Sequence, residues 1–113
     1  MERVETEGRA GRNQALFREI NERVATLCQT FDQQTPQDGW ACECADLTCT
    51  EPIEMTLAEY ESVRKDSTHF AVAPAEDHVF PDVERLIQRT PRYWVVEKFG
   101  DAADVAEQSD PTA

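Results

Sequence analysis

A chain of 113 residues with a formal net charge of -12 is most economically one domain, because independent cores need on the order of 100 residues. Its acidity repels phosphate backbones, and nucleic-acid affinity comes mainly from Lys and Arg neutralising phosphates, so no nucleic-acid partner is expected. No stretch approaches the roughly 18 continuous apolar residues of a membrane span, and Met1 is followed by charged residues rather than an export signal, which predicts a soluble cytoplasmic protein with no membrane partner.

Residues 1–12 carry two of the four glycines and mixed charge, and residues 100–113 hold acids and no base. Both ends read as disordered, the second as an acidic tail, which leaves residues 13–99 as a single α+β domain. A domain that small is marginal on hydrophobic burial alone and often adds disulfides or a metal. In a reducing cytosol, four cysteines point more to metal or redox chemistry than to disulfides.

From Asn13 to Phe31 the apolar residues Phe17, Ile20, Val24, Leu27 and Phe31 fall at 3,4,3,4 spacing, which predicts a long N-terminal amphipathic helix. Its apolar row is expected to pack on its own domain, making a monomer. The alternative is a homodimer through this first helix, since the spacing is also a coiled-coil seam, here only about two heptads long. Residues 32–39 read as a polar loop. Trp40–Cys44 and the alternating Ile53 and Met55 read as short strands. Thr56 and Glu59 form a T-x-x-E capping box that starts a short second helix from Leu57 to about Lys65, burying Leu57, Tyr60 and Val63. Phe70 and Val72 belong to another strand, and a loop from Ala75 to Pro81 carries His78. Tyr93–Phe99 is rich in aromatic and β-branched residues and reads as a strand. Val83–Arg89 suits either its hairpin partner or a short helix, and the hairpin is preferred. The expected fold is α+β, with a small, mainly antiparallel sheet stapled by a metal.

The staple is expected at Cys42, Cys44 and Cys49. Residues i and i+2 of a strand point the same way, so Cys42 and Cys44 can face one ion, and the chain to Cys49 can fold back with a third thiolate. His78 is the expected fourth ligand, with His69 and Cys28 as rivals. The alternative readings are spare thiols or disulfides, a surface role for His69 and simple burial for Cys28. Four protein ligands close a zinc site and make it structural, because hydrolysis needs an open position for water. Thiolates also suit iron or an iron–sulfur cluster. No glycine occurs between Gly39 and Gly100, which excludes a P-loop or a dinucleotide fingerprint inside the domain, and H-E-x-x-H and G-x-S-x-G are absent. No enzymatic activity is expected.

Phe17–Arg23 (F-R-E-I-N-E-R), Cys42–Cys44 (C-E-C), Thr56–Arg64 (T-L-A-E-Y-E-S-V-R) and Tyr93–Lys98 (Y-W-V-V-E-K) together resemble a group of small, uncharacterised actinobacterial proteins over most of residues 14–98. The resemblance implies that Cys42, Cys44, Cys49 and His78 match a shared metal constellation, and it implies no activity. Ala45 stands where the group usually has glycine, and Pro74–His78 replaces a compact P-G-H turn. The expected function is a non-catalytic, zinc-stabilised regulatory or adaptor protein that binds another protein. The alternative is a thiol-based sensor in which oxidation of the cysteines releases the metal.

Overall fold

The computed structural model describes residues 2–44, 46 and 48–110, with residues 2–13 described by backbone alone. Its elements are helix α1 (Glu2–Thr30), strands β1 (Trp40–Ala41) and β2 (Pro52–Ile53), helix α2 (Leu57–Arg64), strands β3 (His69–Val72), β4 (Glu84–Arg89) and β5 (Trp94–Lys98), and helix α3 (Gly100–Gln108). Strands β1 and β2 pair antiparallel, with Trp40 opposite Ile53. The other three form an antiparallel sheet in the order β3-β5-β4. The fold is therefore α+β, as the hydrophobic periodicities predict. No helix among the described residues is long and apolar enough to cross a membrane.

Residues 83–89 resolve in favour of the hairpin. The turn before β5 is held by Thr90, whose hydroxyl donates to the Tyr93 carbonyl at 2.7 Å and accepts from the Tyr93 N–H at 2.9 Å, with Pro91 supplying the fixed φ that such turns favour. The register shifts between Leu86 and Gln88, a bulge of the kind that adds one residue to one strand. Helix α2 starts where its capping box predicts: Glu59 N–H donates to Thr56 Oγ1 at 3.1 Å, and Thr56 N–H donates to Glu59 Oε1 at 2.9 Å. Its Tyr60 ring stacks on Trp40 with centroids 4.3 Å apart, and Trp40 Nε1 donates to the Met55 carbonyl at 2.8 Å. These contacts join α2, β1 and β2 in one core with Phe70, Val72, Val95 and Val96.

Helix α1 departs from expectation in the face it buries. Its inward residues are Gln14, Phe17, Arg18, Asn21, Ala25 and Cys28, whereas Leu16, Ile20, Leu27 and Phe31 are exposed. Of the expected row, Phe17 is buried and Val24 packs partly against the core, while Ile20, Leu27 and Phe31 turn to water. The buried face is centred about one residue step, roughly 100° of helix rotation, from the row. The reason lies in what α1 faces. Gln14 Nε2 donates to Glu84 Oε1 at 2.8 Å, Asn21 Nδ2 donates to Glu43 Oε2 at 3.0 Å, and the Arg18 guanidinium reaches the Ser67 and Ala106 carbonyls at 2.5 Å each while lying over the Phe70 ring. Glu43 and Glu84 are almost completely buried. Glu84 also holds Lys98 and Phe80 N–H, and Glu43 also holds Tyr60 and Ala71 N–H. Turning α1 would leave each a donor short at about 1–3 kcal/mol and would break the Arg18 bonds as well, a sum that exceeds the gain of about 1.5–3 kcal/mol from burying one large apolar side chain. The polar partners win the inner face.

The termini also depart from expectation. Helix α1 begins at Glu2 rather than near Asn13, and the segment read as a disordered acidic tail contains α3. Ala106 is buried against the domain, and Asp110 meets Arg64 at 2.6 Å and the Ser67 hydroxyl at 2.5 Å. The tail has no base of its own, but Arg18 and Arg64 supply the positive partners from elsewhere in the chain.

Candidate metal centre

After β1 the chain stays extended beside β3, and Glu43 N–H donates to the Ala71 carbonyl at 2.8 Å. Alternation then sends Cys42 and Cys44 to one side and Glu43 to the other. Asp46 turns the chain back: its Oδ1 accepts from the Thr48 N–H and hydroxyl at 2.9 and 2.7 Å, and its carbonyl accepts from Cys49 N–H at 3.0 Å. Ala45 and Leu47 lie outside the described residues. His78 closes a single 3-10 turn, Glu76–His78, that follows the end of β3. Ala73 N–H, just past that strand, donates to Cys42 Sγ at 3.2 Å.

These segments bring the Cys42, Cys44 and Cys49 sulfurs and one imidazole nitrogen of His78 within 4.8 Å of one another, a group that can hold a metal ion. His78 Nδ1 lies 3.4 Å from Cys42 Sγ and 3.7 Å from Cys49 Sγ. A tetrahedral ion with bonds of about 2.3 Å to sulfur and about 2.0 Å to nitrogen needs S···N edges of about 3.5 Å. The separations bracket that value, so the donor set fits. The other nitrogen, Nε2, faces Glu51 Oε2 at 3.8 Å, the side from which a carboxylate orients a ligating imidazole. Cys42 and Cys44 are buried and Cys49 is only partly so.

Neither rival ligand joins the group. Cys28 is buried on α1, where desolvation raises its pKa and keeps it a neutral thiol. His69 Nε2 turns to Glu97 at 3.0 Å and Asp66 at 3.5 Å, a partly exposed cluster on the opposite end of β3 from Ala73.

The three clustered thiols oppose one another's ionisation. The hydrogen bond between Cys42 and Cys44 raises the Cys42 pKa and lowers that of Cys44 to about 5, while desolvation raises that of Cys49. One thiolate is therefore favoured and three are not, unless a cation lies among them.

The residues that position this centre are largely ones the sequence reading passed over. Glu43 is fully buried and accepts from Asn21 Nδ2 at 3.0 Å, the Tyr60 hydroxyl at 2.8 Å and Ala71 N–H at 2.9 Å. Burial raises its pKa against the pull of those donors. Asn21 also clamps Ala41 from both sides, donating to its carbonyl and accepting from its N–H at 2.8 Å each. A signal for Glu43 exists in the sequence, because the strand alternation that pairs Cys42 with Cys44 necessarily points the residue between them at the core. Comparison of the chain with protein-family models, characterised proteins and solved structures finds no match.

Proposed function

We propose that this chain is a non-catalytic, zinc-stabilised regulatory or adaptor protein that binds another protein. The observation that supports it is closure: three sulfurs and one nitrogen converge from separate segments, enough to fill a tetrahedral shell and leave no place for a reacting water. Bound there, zinc would supply a structural cross-link between the segment after β1 and the turn at His78. Three thiolates and a neutral imidazole leave such a centre net negative and a poor Lewis acid. The surplus of acids over bases, 23 against 11, suits a basic protein surface as partner. Elemental analysis with an absorption spectrum tests the metal: one zinc per chain and no visible colour is expected, and iron with visible absorption would overturn the assignment. Affinity capture from the native extract tests the adaptor role, which fails if no stable partner is recovered.

A second reading, a thiol-based sensor, is favoured by the partial exposure of Cys49 beside two buried thiols. An oxidant that reaches Cys49 would remove a ligand and loosen the site. Mild peroxide should then release the metal, with reductant and zinc restoring it. Retention of the metal under peroxide would sink this reading.

A further inference from the structure

We propose that α1 pairs with α1 of a second copy through the row Leu16, Ile20, Val24, Leu27 and Phe31. The inference arises from the rotation of α1 described above: the inner face takes Gln14, Arg18 and Asn21 along with Phe17, Ala25 and Cys28, and leaves Leu16, Ile20, Leu27 and Phe31 in water beside the partly buried Val24. In that row, exposure runs from 41% at Ile20 and 46% at Leu16 to 56% at Leu27 and 67% at Phe31. At about 200 Å² for each large apolar residue, these four present about 400 Å² in one contiguous stripe, large for a soluble monomer. Pairing two copies and adding Val24 with the side-chain stems of Glu19 and Arg23 gives about 1,000 Å² in total, the lower bound for a specific interface. Leu16 to Phe31 spans about 22 Å of helix, about four turns of seam.

Charge chooses the occupant. Along the seam segment, residues 16–31, Arg18 is buried on the inner face and the remaining charges are Glu19, Glu22 and Arg23, so the row carries a small share of the chain's net -12. Two copies meeting elsewhere would press acidic surfaces together, whereas this weakly charged, apolar row lets them approach with less of that repulsion. The rim beside the seam carries both signs: Glu19 and Arg23 pair at 3.2 Å, with most of both side chains in water. An anionic membrane offers this weakly charged row on an acidic protein no electrostatic attraction.

The test is sedimentation equilibrium of the full chain at up to about 100 µM, a range that captures even weak dimers, with zinc content measured on the same samples. The expected mass is twice the 12.8 kDa of one chain. Ile20→Glu and Leu27→Glu should each weaken self-association roughly 100-fold by placing a charge in an apolar contact. They should leave the far-UV spectrum and zinc content unchanged, because both positions are already exposed in the single chain. Ile87→Glu, at an exposed apolar position on β4, should leave the dimer intact. A wild-type mass of 12.8 kDa across the range overturns the proposal whatever the variants do, and so does a dimer that survives both substitutions in α1. A zinc-loaded monomer would overturn this inference alone. A metal-free dimer would overturn only the zinc reading.

Discussion

The Tyr60 hydroxyl donates to Glu43 Oε2 at 2.8 Å, and both residues are essentially without solvent contact. Desolvation and the neighbouring carboxylate hold the Tyr60 pKa far above its ordinary value, so the hydroxyl keeps its proton and stays a donor. Removing it leaves a buried carboxylate one donor short, which costs about 2 kcal/mol, or a Tm decrease on the order of 10 °C for a domain of this size. Tyr60→Phe should show that loss in thermal melting. Glu43→Ala should cost more, about 3–5 kcal/mol, because it orphans Asn21, Tyr60 and Ala71 together. Equal, small effects of the two changes would mean that the carboxylate is not the anchor of the segment carrying Cys42 and Cys44.

Two backbone positions should respond in opposite directions. Asp32 has a φ of 52° just past α1, where Gln33 N–H donates to the Cys28 carbonyl at 2.8 Å. Glycine prefers such a cap, and Asp32 also places a negative charge at the negative end of the helix. Asp32→Gly should stabilise the fold by about 0.5–1 kcal/mol in urea unfolding, and a loss of stability would contradict the cap assignment.

Gly39 has a φ of 77°, and a Cβ there would meet the Ile53 carbonyl oxygen at 3.0 Å and Pro52 Cβ at 3.1 Å. Gly39→Ala should destabilise the pairing of β1 with β2, by about 1–3 kcal/mol from strained φ and backbone crowding. A neutral effect in the same unfolding assay would show that the turn relaxes freely.

The acid arm of stability should contain a contribution from Glu59. Hydrogen bonds from Arg92, then from Thr56 N–H, lower its pKa from 4.5 to about 2. A depressed carboxylate stabilises the fold above its unfolded pKa, and that contribution fades as pH falls from about 4.5 toward 2. Solvent screening limits the ion pair, so Glu59→Gln should cost roughly 0.5–1 kcal/mol at neutral pH. The wild-type and variant curves should converge as pH drops through the window. Acid loss of metal is common to both proteins and cancels in the difference. Parallel curves down to pH 2 would rule out the Glu59 contribution.

Local signals carried much of this architecture. Thr56 and Glu59 announce α2 because a capping box is decided within four residues, and Trp94, Val95 and Val96 announce β5 because β-branched and aromatic residues suit a pleated, half-buried surface. The Cys42, Cys44, Cys49 and His78 group was legible from strand alternation and a return turn. The orientation of α1 was not. Its spacing is truly amphipathic, but which face goes inward depends on Glu43 and Glu84, far along the chain, needing donors from Asn21 and Gln14. The same holds for the segment after β5: Asp101, Asp104 and Glu107 of α3 are exposed, but Asp110 just past it is buried on Arg64, a partner from a distant segment. Periodicity reports apolar patterning and is blind to a polar contact across the fold.

The central claim is that the Cys42, Cys44, Cys49 and His78 group holds a structural metal, and thermal melting with and without a strong chelator tests it most directly. Structural zinc contributes about 10 kcal/mol or more in small finger peptides, while whole domains are stable by only about 5–15 kcal/mol. Chelation should therefore abolish the cooperative transition or lower it steeply. Cys44→Ser should do the same without chelator, since an alcohol is a poor zinc ligand. His78→Ala should fall between the two cysteine variants, because water can occupy its position, and Cys28→Ser should cost only some burial. A chelated protein that melts with the untreated one, together with Cys44→Ser behaving like Cys28→Ser, would contradict the account.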